Sequence, residues 1–131
     1  SDGTSIRMRF DNGSGFVSSN SYDANFKGEA GGVDSGNNQD LTSCVVTPNS
    51  TGTASDSEHT SGDILILDAN NVAYTRTHGR CVGRSAGNTA SLYATANVLR
   101  DNNQTIAIQI LALTGNLEQG TFILYGKRKV A

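Results

Sequence analysis

DILILDANNVAYTRTHGR, residues 63–80, is the stretch on which the fold turns. Ile64 to Leu67 form an uninterrupted apolar run, the pattern of a strand buried on both faces. The DANN segment carries turn chemistry, and VAYTRT returns with Val72, Tyr74 and Arg76 at alternate positions. The stretch therefore predicts a hairpin, and the chain on either side repeats its rhythm.

Upstream, TSIRMRF (4–10) alternates Ile6, Met8 and Phe10 with Arg7 and Arg9, which predicts a half-buried strand with both arginines on its outer face. DNGSG (11–15) is turn chemistry. Residues 16–40 scatter Phe16, Tyr22 and Phe26 among Ser, Asn and Gly, which predicts one or two short strands and a long loop over GEAGGVDSGNNQD (28–40). LTSCVV (41–46) is a further strand, stopped by Pro48. From 48 to 61 the chain is Ser, Thr, Asn, Gly and acid, a long polar loop that is either a contact arm or a mobile excursion.

Downstream, TASLYATANVL (89–99) and QTIAIQILAL (104–113) read as a strand pair joined across RDNN. Ala, Leu and Tyr in the first would tolerate a helix, but the interleaved Thr and Val favour a strand. The second has Ile106, Ile108 and Ile110 on one face and Leu111 and Leu113 on the other, the pattern of a central strand. TFILYGKRK (121–129) then puts Phe122 and Leu124 on one side and Ile123 and Tyr125 on the other, as a strand that closes the sheet. Gly126 is expected at a bulge or a close backbone approach. Short strands, polar turns and no amphipathic helix predict an all-β, antiparallel β-sandwich or barrel with long polar loops.

At 131 residues the chain fits one domain, 1–131, with a loop at 48–61 and a basic tail at 127–131. Only 17% of it is charged and the apolar residues collect in runs, unlike a disordered chain. A net charge of −2 predicts no direct attraction to nucleic acid or anionic lipid, and no run reaches the ~20 apolar residues needed to cross a bilayer. Cys44 and Cys81 lack zinc spacing. They could form one disulfide, but two buried thiols fit better, since the start does not resemble a signal peptide.

Candidates for chemistry are few. His59 lies in a polar loop, and His78, beside a turn glycine, is the one histidine placed for proton transfer. Ser and Asp are so abundant that finding them alongside a histidine carries no information about a triad. Asp34, Asn38 and Asp40 faintly resemble a calcium loop with its glycine misplaced. The sequence thus implies no catalytic residue, no metal and no cofactor. It does cluster cations: Arg76, Arg80 and Arg84 in one stretch, Lys127, Arg128 and Lys129 at the end. Such runs are often only a solvated face. With seven arginines to three lysines, they also suit pairing with carboxylates on a partner protein.

The segment IAIQILALTGNLEQGTFILYGKRK (106–129) resembles the C-terminal ends of small β-sandwich virion proteins of tailed bacteriophages. Those finish with an Ile-rich strand, a Gly/Asn turn and a Gly-Thr-x-x-Leu-Tyr-Gly strand, matched here by Gly120, Thr121, Leu124, Tyr125 and Gly126. MRFDNGSG (8–15) and SGDILILDANN (61–71) are similar to the same proteins. The resemblance implies a jelly-roll-like sandwich on the capsid exterior of a virion, made in the host cytoplasm. Fibre subunits carry long repeats or coiled-coil heptads, which are missing here, and the chain reads as complete in itself. The implied role is therefore capsid cement or decoration: binding the major capsid protein, as a homo-oligomeric dimer or trimer. A tail-fibre or glycan-binding module is the alternative, and a hydrolase using His78 a more distant one.

Overall fold

The computed structural model describes residues 5–30, 33–47, 60–70, 73–84, 90–114 and 120–126. Eight strands run through them: β1 (Ile6–Asp11), β2 (Tyr22–Ala30), β3 (Val33–Leu41), β4 (Cys44–Val45), β5 (Thr60–Leu67), β6 (Thr75–Arg84), β7 (Ala90–Leu99) and β8 (Ala107–Ala112). Among the described residues there is no helix of a length and apolarity that could cross a membrane. The strands form two antiparallel sheets, one of five strands in the order β3-β2-β7-β6-β5 and one of three in the order β4-β1-β8. The sheets pack face to face as a β-sandwich. β1 with β8, and β2 with β7, nest in the manner of a jelly roll, whereas β3 folds back on β2 and β6 on β7.

β1 forms as its alternation dictates. Met8 and Phe10 are fully buried and join Tyr22, Cys44 and Leu99 as the core, with Ile64, Ile66 and Ile108 packed around it. Arg9 leaves by the opposite face and donates through Nε to the Thr42 carbonyl at 3.1 Å. Arg7 shares that face but is half-buried. Its Nε has no hydrogen-bond partner, and burial lowers its pKa. The turn after β1 is held by the Asp11 carboxylate, which accepts from the amides of Gly13 and Gly15 at 2.8 and 3.1 Å. Both glycines have positive φ, at 92° and 112°, which other residues rarely adopt. The chain then doubles back so that the Tyr22 hydroxyl donates to Val17 O and accepts from the Phe10 amide.

The predicted hairpin at 63–80 is present as β5 and β6, with Ile64 opposite Gly79 and Leu67 opposite Arg76. The run Ile64–Leu67 is buried on one face only: Ile64 and Ile66 face the core, Leu65 and Leu67 face outward. The sandwich has two layers, so the outer face of this sheet is uncovered among the described residues. Val72 lies outside the described residues. Residues 90–99 are the strand expected there, not a helix.

Four further expectations are corrected. The loop expected over 28–40 is mostly strand: β2 and β3 form a hairpin of two nine-residue strands. β3 is polar, and cross-strand fit rather than propensity holds it. Gly36 sits so close under the Phe26 ring that an added Cβ would come within 2.5 Å of it. Phe26 in turn meets Tyr93 edge-on, with ring centroids 6.3 Å apart. Second, β7 and β8 do not pair with each other. The RDNN segment crosses between the sheets, because Arg100 binds Asn20 O and the carboxylates of Asp23 and Asp40, while Asp101 binds Asn12 and Asn103. Third, β8 is not central; among the described residues it pairs only with β1 and so ends its sheet. Fourth, Phe122 to Tyr125 do not close the sandwich. Residues 120–126 join no described strand, all four side chains are exposed, and Gly126 has open space around it.

Polar side chains are buried between the sheets as well. Thr75 and Thr77 of β6, and Thr95 and Asn97 of β7, are buried. Asn97, 2% exposed, reaches from the larger sheet to β4. Its Oδ1 accepts from the Val45 amide at 2.7 Å, and its Nδ2 donates to Val45 O and to Thr77 Oγ1, both at 3.0 Å. One side chain thus occupies the position of a strand beside β4 and ties the two layers together.

Candidate interaction face

Because side chains alternate along a strand, the five-stranded sheet that turns Thr77, Cys81, Tyr93 and Asn97 inward turns their neighbours outward. On β6 the outward residues are Arg76, His78, Arg80 and Val82, and Arg84 continues the same row, half-buried. Register places Leu67, Leu65, Asp63 and Ser61 of β5 opposite the first four. On the other side stand Val98, Ala96, Ala94 and Leu92 of β7. Beyond these come Asp23, Asn25, Lys27 and Glu29 of β2. Ala94 and Ala96 are too small to fill the space above β7. A shallow cleft therefore runs over Ala94, between Lys27 and Glu29 on one side and Arg80 and Leu92 on the other.

The face combines two properties. Leu65, Leu67, Val82 and Leu92 lie substantially exposed on it, an amount of apolar surface beyond single scattered residues. Among them stand the cations of β6. Arg76 is engaged: its guanidinium pairs with Asp68, with Nε to Oδ2 at 3.1 Å. Arg80 stands beside Asp63 in register, with Lys27 across Ala94. The charge is mixed rather than uniformly basic, which suits a patterned protein surface better than a phosphate backbone.

The structure brings Arg76, Arg80 and Arg84 into one row. Lys127, Arg128 and Lys129 lie outside the described residues. Gly120, Thr121, Leu124, Tyr125 and Gly126 are described and belong to no sheet. His78 stands between Arg76 and Arg80 with Leu65 and Ala96 as its register neighbours, so neither neighbour across the ladder is a carboxylate. His59 and the loop at 48–59 lie outside the described residues. The Asp34–Asp40 run is split between partners: Asp34 accepts from the Tyr93 hydroxyl at 3.0 Å and Asp40 pairs with Arg100. Among the described residues no three His, Cys, Asp or Glu side chains gather as metal ligands. Cys44 and Cys81 are buried and unbonded, and burial pushes the Cys44 thiol up to about 12 and raises that of Cys81.

Sequence reasoning missed the apolar half of this face. Leu65 and Leu67 were assigned to a doubly buried strand, although the period-2 pattern alone puts them on the same side as Arg76 and Arg80 once the hairpin is accepted. Leu92, Ala94 and Ala96 are legible in the same way from the alternation of β7. Compared with family models, curated proteins and solved structures, the chain matches none.

Proposed function

We propose that this chain is a structural binding module of a tailed-phage virion, a cement or decoration protein that docks on the major capsid protein through the outer face of its five-stranded sheet. The observation that carries the proposal is that face. It sets exposed Leu65, Leu67, Val82 and Leu92 beside Arg76 and Arg80, an apolar patch of the kind that marks interaction sites, with the arginines that protein interfaces favour. The resemblance of the 106–129 segment to virion β-sandwich proteins supplies the setting.

The physics of the role follows from mass action. A clip that binds only assembled subunits stabilises the assembled shell, and many equivalent sites make weak single contacts sufficient. Such a clip needs a rigid scaffold more than a reactive group. A sandwich whose two layers are joined through Asn97 and Val45 provides that rigidity.

Quantitative mass spectrometry of purified particles tests the proposal. The chain is expected in about the copy number of the major capsid subunit. A copy number of only a few per particle would instead fit the tail-fibre or glycan-binding alternative, and absence from particles would overturn both.

A further inference from the structure

The two sheets are unequal, with five strands covered by three. At the β8 end the cover runs out. Ile64, Ile66 and Ile108 reach the core only part-buried, and Ile106, Ile110 and Leu113 are exposed. The β8 backbone is open there as well. Leu113 donates to Ser5 O, so by the alternation of an antiparallel ladder the odd-numbered residues of β8 bond to β1. Ile108, Ile110 and Ala112 then direct their N–H and C=O groups away from β1, where no described strand receives them. An open, apolar strand edge is a template for one more strand.

The chain also carries an apolar segment without a sheet. Phe122, Ile123, Leu124 and Tyr125 are 57%, 67%, 77% and 83% exposed. Residues 121–126 match the six residues of β8 in length, and their alternation would put Phe122 and Leu124 on one face and Ile123 and Tyr125 on the other. Other edges suit this segment less well. β3 is polar between its end residues Val33 and Leu41, β4 is two residues long with its edge occupied by Asn97, and β5 lies in the sheet that is already the larger.

We infer that residues 121–126 form an exchange arm that adds as a fourth strand to the β8 edge of a second copy of this chain. Within one chain the arm pairs with no described strand and β8 has no described partner but β1; exchange between copies satisfies both. The added strand extends the smaller sheet and covers Ile108 and Ile110, and it takes the apolar pair on its inner face out of water. Reciprocal exchange yields a closed dimer, and head-to-tail exchange around a ring yields a trimer. The inference does not depend on the proposed function, because oligomerisation is measured on the isolated protein.

Sedimentation of the full chain with two proline variants tests it. Ile123→Pro breaks the arm. Ile110→Pro blocks the edge at a position whose N–H points away from β1, so the β1–β8 ladder keeps its bonds. The wild type is expected to sediment as a dimer or trimer, and each variant alone as a monomer with an unchanged far-ultraviolet spectrum. Mixing the two variants should restore association, since the Ile110→Pro chain contributes an intact arm and the Ile123→Pro chain an intact edge. A monomeric wild type, an oligomer that survives Ile123→Pro, or a mixture that stays monomeric would overturn the inference. A monomeric wild type destabilised by Ile123→Pro would show instead that the arm closes its own sheet.

Discussion

The two edges of the three-stranded sheet end in opposite ways. At the β4 edge a polar side chain is buried: Asn97 supplies an acceptor and a donor to Val45 and leaves neither backbone group orphaned. At the β8 edge no described strand pairs with the backbone, Ile110 and Leu113 are exposed, and so are Phe122 to Tyr125 further along the chain. Hydropathy alone predicts the reverse, with asparagine outside and Phe122 to Tyr125 inside. Hydropathy does not decide burial alone, because an unmade backbone bond in the interior costs ~1–3 kcal/mol, about what one large apolar side chain gains by entering it.

The largest effect is expected where the closed edge is opened. Asn97→Leu keeps the branching at Cγ but orphans the Val45 amide and carbonyl, a loss of about 3 kcal/mol at ~1–3 kcal/mol for each buried unpaired group. Urea unfolding measures it. A loss under about 0.5 kcal/mol would mean that β4 is held by β1 alone and that the comparison between the edges is wrong.

The interior behind the closed edge gives a second, pH-dependent effect. Burial pushes the Tyr22 phenol up to about 12 from an ordinary 10.0, and the Cys44 thiol up to about 12 from 9.0. The folded chain keeps these protons at a pH where the unfolded chain has lost them. Stability from this source is therefore complete below about pH 9 and falls as pH rises toward about 12. Melting temperatures between pH 8 and 11, taken with a reducing agent, should show the fall, and it should be shallower in Tyr22→Phe, which has no phenol to ionise. An equal fall in both would assign the loss to other groups.

The open edge should be the least sensitive. In dilute protein, Leu124→Ser removes an exposed side chain with no described packing partner and should change unfolding free energy by less than about 0.5 kcal/mol. A loss of about 2 kcal/mol or more, of the size seen when a buried leucine is cut back, would place Leu124 in the core of its own chain.

The same contrast marks what could be read from the sequence. β1, β7 and the 63–80 hairpin were legible because each carries its own alternation or a turn signal, and the buried thiols followed from how commonly a free cysteine is buried. β3 was not, since VDSGNNQDL has no strand propensity of its own and is held by pairing with β2 and by the Phe26 ring over Gly36. The crossover at 100–103 was hidden for a related reason. Arg100 and Asp101 are anchored by Asn20, Asp40 and Asn12, partners 60 to 89 residues away. The closing strand failed in the opposite direction, because propensity can nominate a strand but cannot supply its neighbour. At the interaction face, the sequence put Arg76, Arg80 and Arg84 in one stretch, while the exposure of Leu65 and Leu67 depended on the outer face of the larger sheet having no layer over it.

The most direct test of the account is hydroxyl-radical footprinting of the chain free in solution and bound to purified capsid shells. Docking through the five-stranded sheet predicts that Leu65, Leu67, Val82, Leu92 and His78 label in the free protein and are protected on the shell, while buried Tyr93 stays unlabelled in both. Equal labelling of those five residues in the free and bound states would contradict it.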